Sequence, residues 1–322
     1  MKKLVLVGFG DIAQSEHLPA LQKSGLFTLD GVIEVDPAKI EIANNLGIPV
    51  LSNLEEARDK GITCAVVATP PNVTPELSAN AISLGFHVLI EKPIAISSKQ
   101  LEALTKASKD SSKVIQVGFV NRFSPFILKA RHLIASGKLG TPLVINMGAF
   151  DETLNESNQP HIKKITDFLE HGSAFAHEGT HLIDYLTFFG LSERNLIRVS
   201  GLTTDRRFKN PNYVTTTIEY ADGSIANLEV GWMFEYLPMG YIRIMGPSGR
   251  IEIIRRKGFM EVTLGETSEV YELDQPWNSL TFPAQLIAFS EAIDGEATIA
   301  ADLAAGVENV KFVETLESLL RN

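Results

Sequence analysis

The sequence predicts an α/β protein, with an N-terminal doubly wound Rossmann domain followed by a C-terminal α+β domain carrying a mostly antiparallel open sheet. Three observations predict it. Up to Val120, almost wholly apolar runs alternate with segments of helical spacing, the pattern of a parallel sheet covered on both faces. A glycine-rich turn, Gly8-Phe9-Gly10, directly follows the first run. Beyond Phe123 the alternation gives way to paired runs joined by Gly-containing turns, which read as hairpins.

Taken in order, the apolar runs are "KLVLVGF" (3–9), "TLDGVIEV" (28–35), a short "IPVL" (48–51), "TCAVVAT" (63–69), "HVLIEKP" (87–93) and "KVIQVGFV" (113–120). Between them "HLPALQKSG", "AKIEIANNLG", "NLEEARDKG", "TPELSANAISLG" and "KQLEALTKASKD" read as helices, several closing on the Gly that commonly stops one. A helix over Pro125–Ser136 and a strand in "TPLVINMGAF" (141–150) come next, then a polar, irregular stretch from Asp151 to Gly172 and a helix from Ser173 to Phe189. "YVTTTIEY-ADG-SIANLEV" and "YIRIM-GPSG-RIEII" are two hairpins, "FMEVTL" and "SEVYEL" supply further strand, and "DLAAGVENVKFVETLESLL" is an amphipathic closing helix. Domains are expected at 1–122 (dinucleotide binding) and 123–322 (substrate binding and oligomerisation), with the last helix able to pack back on the first.

The formal charge of −10 argues against a nucleic-acid partner, which needs a basic patch. Gly8, Gly10 and Asp11 cut short the run after Lys2-Lys3, so it is not read as a secretory signal, and no apolar stretch is long enough to span a membrane. Cys64, the single cysteine, can form no internal disulfide and is expected to be a buried small residue. The cytoplasm is the expected compartment.

Gly8-Phe9-Gly10-Asp11-Ile12-Ala13 is a G-x-G-x-x-A turn between a strand and a helix. The first glycine permits the turn, the second lets a pyrophosphate approach, and the small third residue lets helix and strand pack closely. Backbone N–H groups at the helix start favour the anion. If the second strand ends at Ile33, Glu34 occupies the position that accepts hydrogen bonds from the adenosine ribose, and Asp36-Pro37 starts the next helix. A carboxylate there repels a 2′-phosphate and no arginine follows immediately, so NAD is favoured over NADP.

With GFGDIA at the front, "TPPN" (69–72) after the fourth run, "EKP" (91–93) after the fifth, "VGFVNRFSP" (117–125) and "THLIDYL" (180–186), the chain resembles the Gfo/Idh/MocA oxidoreductases, which include glucose–fructose oxidoreductase and inositol dehydrogenase. The resemblance implies that Glu91-Lys92-Pro93 lies where cofactor and substrate meet, with Lys92 catalytic. An ammonium beside a reacting hydroxyl would stabilise developing alkoxide charge. It also implies that Thr69 and Asn72 flank the nicotinamide half of the cofactor and that Asn121 and Arg122 line the substrate cleft. Arg122 is equally suited to an interdomain salt bridge.

"HEGTH" (177–181) fits the H-E-x-x-H pattern of zinc hydrolases, with Glu178 as the water-activating base. The extended pattern fails. Asp184 stands where a glycine is required, Thr187 where a histidine is, and nothing singles out Glu193 as a third ligand. No metal is therefore expected. On a continuous helix His177, His181 and Asp184, spaced i, i+4 and i+7, share one face. The resemblance aligns "HEGTHLID" with a D-x-G-x-H-x-x-D-like segment, making His181 the catalytic histidine, His177 a substrate contact or secondary catalytic relay, and Asp184 a residue beside the substrate. His177 departs from the pattern, because many members have Asp there.

The resulting expectation is an NAD(P)-dependent enzyme moving hydride between nicotinamide and a carbinol or keto carbon of a sugar, polyol or sugar derivative. Its partners would be that substrate and further copies of the chain, as a homodimer or homotetramer through the C-terminal sheet. Two other readings share the fold: a non-catalytic NAD-binding regulator or sensor, and an NAD-using glycosidase.

Overall fold

The computed structural model describes residues 1–191 and 194–320. The chain divides into two compact units, one of residues Met1–Phe123 and Asn278–Lys311, the other of Ser124–Trp277 and Phe312–Asn322.

In the first unit, strands β1 (Lys2–Val7), β2 (Phe27–Ile33), β3 (Cys64–Val67), β4 (His87–Ile90) and β5 (Ile115–Val117) form a parallel sheet in the order β2-β1-β3-β4-β5. Alternate residues of the central strands β1, β3 and β4 supply two cores. Val5, Val7, Ala65, Val67, Val88 and Ile90 face helices α3 (Leu54–Asp59), α4 (Thr74–Ser83) and α5 (Leu101–Lys109). Leu4, Leu6, Cys64, Val66 and Leu89 face α1 (Leu18–Ser24), α2 (Pro37–Asn45) and α9 (Trp277–Asp294). These central strands are thus apolar on both faces, which is why their runs do not alternate with polar residues. "IPVL" lies where a sixth, edge strand would lie, but it is reduced to one bridge, Val32 to Val50. Two backbone hydrogen bonds hold it, Val32 N–H to Pro49 and Leu51 N–H to Val32, both 2.8 Å. Pro49 has no N–H to extend a ladder. Pro283 inside α9 likewise removes the N–H that would reach the Ser279 carbonyl, and Lys23 Nζ donates to that carbonyl instead at 2.9 Å.

The second unit holds an eight-stranded sheet in the order β13-β12-β11-β10-β6-β9-β8-β7, in which only β6 and β9 pair in parallel among the described residues. The strands are β6 (Val144–Ala149), β7 (Arg194–Leu202), β8 (Tyr213–Tyr220), β9 (Ile225–Gly231), β10 (Tyr241–Gly246), β11 (Gly249–Ile254), β12 (Phe259–Leu264) and β13 (Thr267–Glu272). Both hairpins read from the sequence are present, and Gly223 takes the left-handed φ of 81° at the tip of the first. One face is apolar: Val214, Ile218, Leu228, Ile242 and Ile244 share a core with helices α6 (Pro125–Ala135), α7 (Gln159–Leu169) and α8 (Thr180–Phe188) and with Leu316 of α10 (Leu303–Leu320). Ile242 and Ile244 of "YIRIM" therefore point inward, while Tyr241, Arg243 and the exposed Met245 take the other face. On that outer face Glu229 accepts hydrogen bonds from Tyr213 and Tyr241, each 2.6 Å. Burial and the neighbouring Glu229 push the Tyr213 phenol up to about 12.

Two local expectations change. The stretch 151–172 is not wholly irregular, because α7 occupies its middle, capped by the Asn158 side chain and burying Ile162, Ile165 and Leu169 at helical spacing. The helix expected from Ser173 is not a continuous α-helix: a π-helical turn, Phe175–Gly179, precedes α8.

Candidate active site

Five parallel strands end at one edge of the first unit's sheet, and the candidate residues lie just past those ends. Gly8 follows β1, Glu34 follows β2, Thr69 closely follows β3, Glu91-Lys92 follows β4, and Asn121-Arg122 lies just beyond β5. The strand order reverses between β1 and β3, and open α/β sheets bind ligands at such a switch point. Gly8 sits in that crevice with φ of 88°; a Cβ there would lie 2.5 Å from the Ala68 carbonyl oxygen and 2.9 Å from Thr69 Cγ2. Both the backbone angle and the space therefore demand glycine. Gly10 differs: a Cβ there would meet only Lys39 Nζ, at 3.9 Å, so its outer side is open. Asp11 and Ile12 begin the helix and are exposed, and Ala13 is fully buried against the sheet.

Strand β2 ends at Ile33, and Asp36 caps α2 through a 3.0 Å bond from Ala38 N–H, with Pro37 in the first turn. Glu34 accepts hydrogen bonds from Phe9 N–H at 2.7 Å, Val35 N–H at 2.7 Å and Asp36 N–H at 3.0 Å. Burial alone would raise its pKa, but the three amides and Lys39 outweigh it and hold the carboxyl below the usual range. The acid is ionised at neutral pH and tied to the glycine turn. An open second glycine, a small third residue and an anchored acid at the end of β2 fit the pyrophosphate and ribose of a nicotinamide dinucleotide.

At the end of β4 the Glu91 carboxylate is buried and Lys92 is half-buried. Thr69 is half-buried with its hydroxyl 2.9 Å from that of Thr74, and Asn72 is exposed. Asn121 and Arg122 lie on a 3₁₀ turn and are both buried. Arg122 Nη1 donates to the Ala300 carbonyl at 2.8 Å and its guanidinium lies over the Phe119 ring, so it is anchored within its own unit.

In the second unit, His181 and Asp184 fall in α8 and are 7% and 2% exposed. His177 belongs to the π-helical turn, so the α-helical spacing that put it on their face does not carry through. Its ring is stacked between Phe168 (centroids 5.3 Å apart) and Trp232 (5.5 Å), and Nε2–H donates to the Phe168 carbonyl at 3.0 Å. Trp232 is itself held by a 2.6 Å bond from its indole N–H to Asp151. His161 pairs with Glu152 at 3.3 Å, and His171 is exposed. Among the described residues, no three His, Cys, Asp or Glu side chains are grouped to hold a metal ion; Glu193 lies outside the described residues. Gly179 answers to packing: a Cβ would lie 2.3–2.5 Å from three ring atoms of the buried Phe175.

Two profiles of one family match the chain. The profile described as "Oxidoreductase family, NAD-binding Rossmann fold" covers residues 2–119, and the family's C-terminal domain profile covers 127–252. The chain belongs to the Gfo/Idh/MocA oxidoreductase family. Within the family it is 24% identical to the scyllo-inositol 2-dehydrogenase (NAD(+)) of Bacillus subtilis over 220 residues, 66% of this chain and 62% of that enzyme. The match thus spans less than two thirds of that relative. The fold is shared with the aldose-aldose oxidoreductase of Caulobacter crescentus, solved with glycerol, at a TM-score of 0.85 and 21% identity over 99% of this chain and 97% of that one. It is also shared with the WlbA dehydrogenase of Bordetella pertussis, solved with NADH and UDP-GlcNAcA, at 0.79 and 18% identity over 99% and 96%. Among the described residues, no helix is long and apolar enough to cross a membrane.

Sequence reasoning passed over two residues at the strand-end site. His17 is completely buried against Glu91, and Gly118 leaves the room that the Glu91 carboxylate occupies. Periodicity alone assigns His17 to a helix face. Only the packing shows what it touches.

Proposed function

We propose that this chain is an NAD(P)-dependent oxidoreductase moving hydride between nicotinamide and a carbinol or keto carbon of a sugar, polyol or sugar derivative. The observation that carries the reading is the row of strand ends in the first unit, where the glycine turn, Glu34, Thr69 and Glu91-Lys92 follow adjacent parallel strands. A nicotinamide dinucleotide, when bound, supplies the hydride acceptor or donor. The first-turn amides of residues 11–13 and the open side of Gly10 would hold its pyrophosphate, and Glu34 its ribose. Thr69 and Asn72 would flank the nicotinamide half.

Lys92 stabilises negative charge on the substrate oxygen as the C–H bond breaks. His181 takes the hydroxyl proton in oxidation and returns it in reduction, a task suited to imidazole. Asn121, Arg122 and Asp184 belong to the same proposal as residues around the substrate. His177, clamped between two rings with Nε2–H given to a carbonyl, serves there as a fixed wall beside the substrate. The ionised Glu34 favours NAD over NADP, and Lys39 near Gly10 is the cation a 2′-phosphate would need to recruit. A cytoplasmic homodimer or homotetramer, joined through the outer face of the second unit's sheet, completes the reading; light scattering showing only monomer would remove that part.

The test is a panel of sugars and polyols assayed with NAD and NADP at 340 nm. Lys92→Ala and His181→Ala are each expected to cut kcat by about 10²-fold or more while NADH affinity is kept. Wild-type turnover in either variant removes that residue from the chemistry. NAD binding without turnover across the panel would favour a regulator or sensor, and released sugar without net NADH a glycosidase.

A further inference from the structure

We infer that His17 is a positioning residue for Lys92, linking the dinucleotide turn to the strand end that carries the lysine. The inference rests on the Lys92 reading above. At Ala13 the first helix opens into a π-helical turn, Ala13–His17, closed by Leu18 N–H on the Ala13 carbonyl. Such wide turns are rare and frequently mark functional sites. The extra residue shifts the side chains beyond it around the helix axis, and His17 points into the interior with no exposed surface.

There it meets Glu91. Burying a carboxylate is costly unless both oxygens find donors. Glu91 has them: Oε1 lies 2.8 Å from His17 Nε2, and Oε2 accepts Lys92 N–H at 3.0 Å. Gly118 shapes the slot, because a Cβ there would lie 2.9 Å from Oε2 and 3.0 Å from the carboxylate carbon. Phe282 presents its ring edge-on to the imidazole at 5.2 Å, a second wall that fixes the ring plane. His17 Nδ1 has no hydrogen-bond partner among the described residues, so Glu91 is the polar group that orients the ring. The path then runs from the glycine turn through a π-turn, an imidazole and a carboxylate to the main chain of Lys92. None of those links requires His17 to touch substrate or cofactor. It acts by holding Glu91, and Glu91 holds the peptide from which the lysine side chain leaves.

A substrate-independent readout tests this. The lysines of the full chain are dimethylated with ¹³C-formaldehyde, and the Lys92 resonance is identified by its loss in Lys92→Arg. In the wild type that resonance is expected to move on saturation with NADH. His17→Leu, which keeps apolar packing but offers no donor, should abolish or broaden the response while NADH affinity changes by less than about threefold. His17→Gln, whose amide restores an N–H near the position of Nε2, should recover it. Should His17→Leu not fold, Glu91→Gln reads the same link from its other side and should also lose the response. A wild-type Lys92 response in a folded His17→Leu or Glu91→Gln overturns the inference, as does failure of His17→Gln to recover it. A wild-type resonance indifferent to NADH fails differently: it removes Lys92 from the cofactor's surroundings and with it the reading on which the inference stands.

Discussion

Replacing Gly179 by alanine sets two effects of opposite sign against each other. Helix propensity alone makes Gly→Ala within a helix stabilising by about 1 kcal/mol. The structure opposes this, because the new methyl would lie 2.3–2.5 Å from Cδ1, Cε1 and Cγ of Phe175, whose side chain is completely buried. Ordinary contact begins at 3.4 Å, so the ring must withdraw by about 1 Å (3.4 less 2.4) into a packed core. Overpacking of this kind costs about 1–3 kcal/mol, and a near-head-on approach to a ring belongs at the upper end. The net expectation is a loss of about 2 kcal/mol, after subtracting the propensity gain. For a unit of this size that corresponds to a fall in Tm of about 4–8 °C, read by circular dichroism or calorimetry. Phe175→Leu in the same chain should return part of the loss, since the smaller side chain can yield. An unchanged or raised Tm in Gly179→Ala would refute the reasoning and return the glycine to incidental status.

Two further predictions concern the first unit. Gly8→Ala combines a φ of 88° with a 2.5 Å approach to the Ala68 carbonyl, a backbone atom that cannot swing away. It should weaken NADH binding by about tenfold or more, equivalent to about 1.4 kcal/mol, and a fluorescence titration giving wild-type affinity would contradict it. His87 accepts Val114 N–H through Nδ1 at 3.1 Å, and burial, with Lys113 and Lys2 nearby, lowers its pKa from 6.5. With the folded pKa below the unfolded one, the unfolded chain binds the proton more readily. Stability is therefore unaffected well above pH 6.5 and is lost as the pH falls through 6.5 toward the folded value. His87→Asn, which keeps an acceptor but cannot be protonated there, should lose less Tm than the wild type between about pH 7.5 and 5.5. Equal losses in the two proteins would rule out His87 as the source.

Much of the strand-end site was legible because its signals are local. A left-handed turn favours glycine wherever it occurs, an Asp-Pro pair starts a helix by its own hydrogen bonding and φ, and an apolar run between helices is a covered parallel strand. The end of β2 at Ile33 and the placement of Glu34 beside the glycine turn came from such rules. Helix α7 was also within reach, since Asn158, Ile162, Ile165 and Leu169 carry a cap and a buried stripe, but the surrounding polar residues masked them. The edge strand at 48–51 was legible in position and not in extent, because Pro49 limits the ladder to what its carbonyl can accept.

The second histidine region was less readable, and the reason is geometric. An i, i+4 argument assumes one helical period, and the π-turn at Phe175–Gly179 breaks it, leaving His177 stacked between Phe168 and Trp232 and His181 buried in α8. The i, i+4 spacing in "HEGTH" survives in the letters and not in a regular α-helix. Local chemistry, written in glycines, prolines, caps and periodicity, was enough to specify a Rossmann unit, its glycine turn, an acid at the end of β2 and a lysine at a strand end. Which carboxylate is paired, that His17 holds Glu91, that Gly118 and Gly179 exist to make room, and where His177 points are contacts between residues far apart in sequence or held by an irregular turn. Close packing decides those, because a buried side chain's neighbours depend on every element that shares its volume.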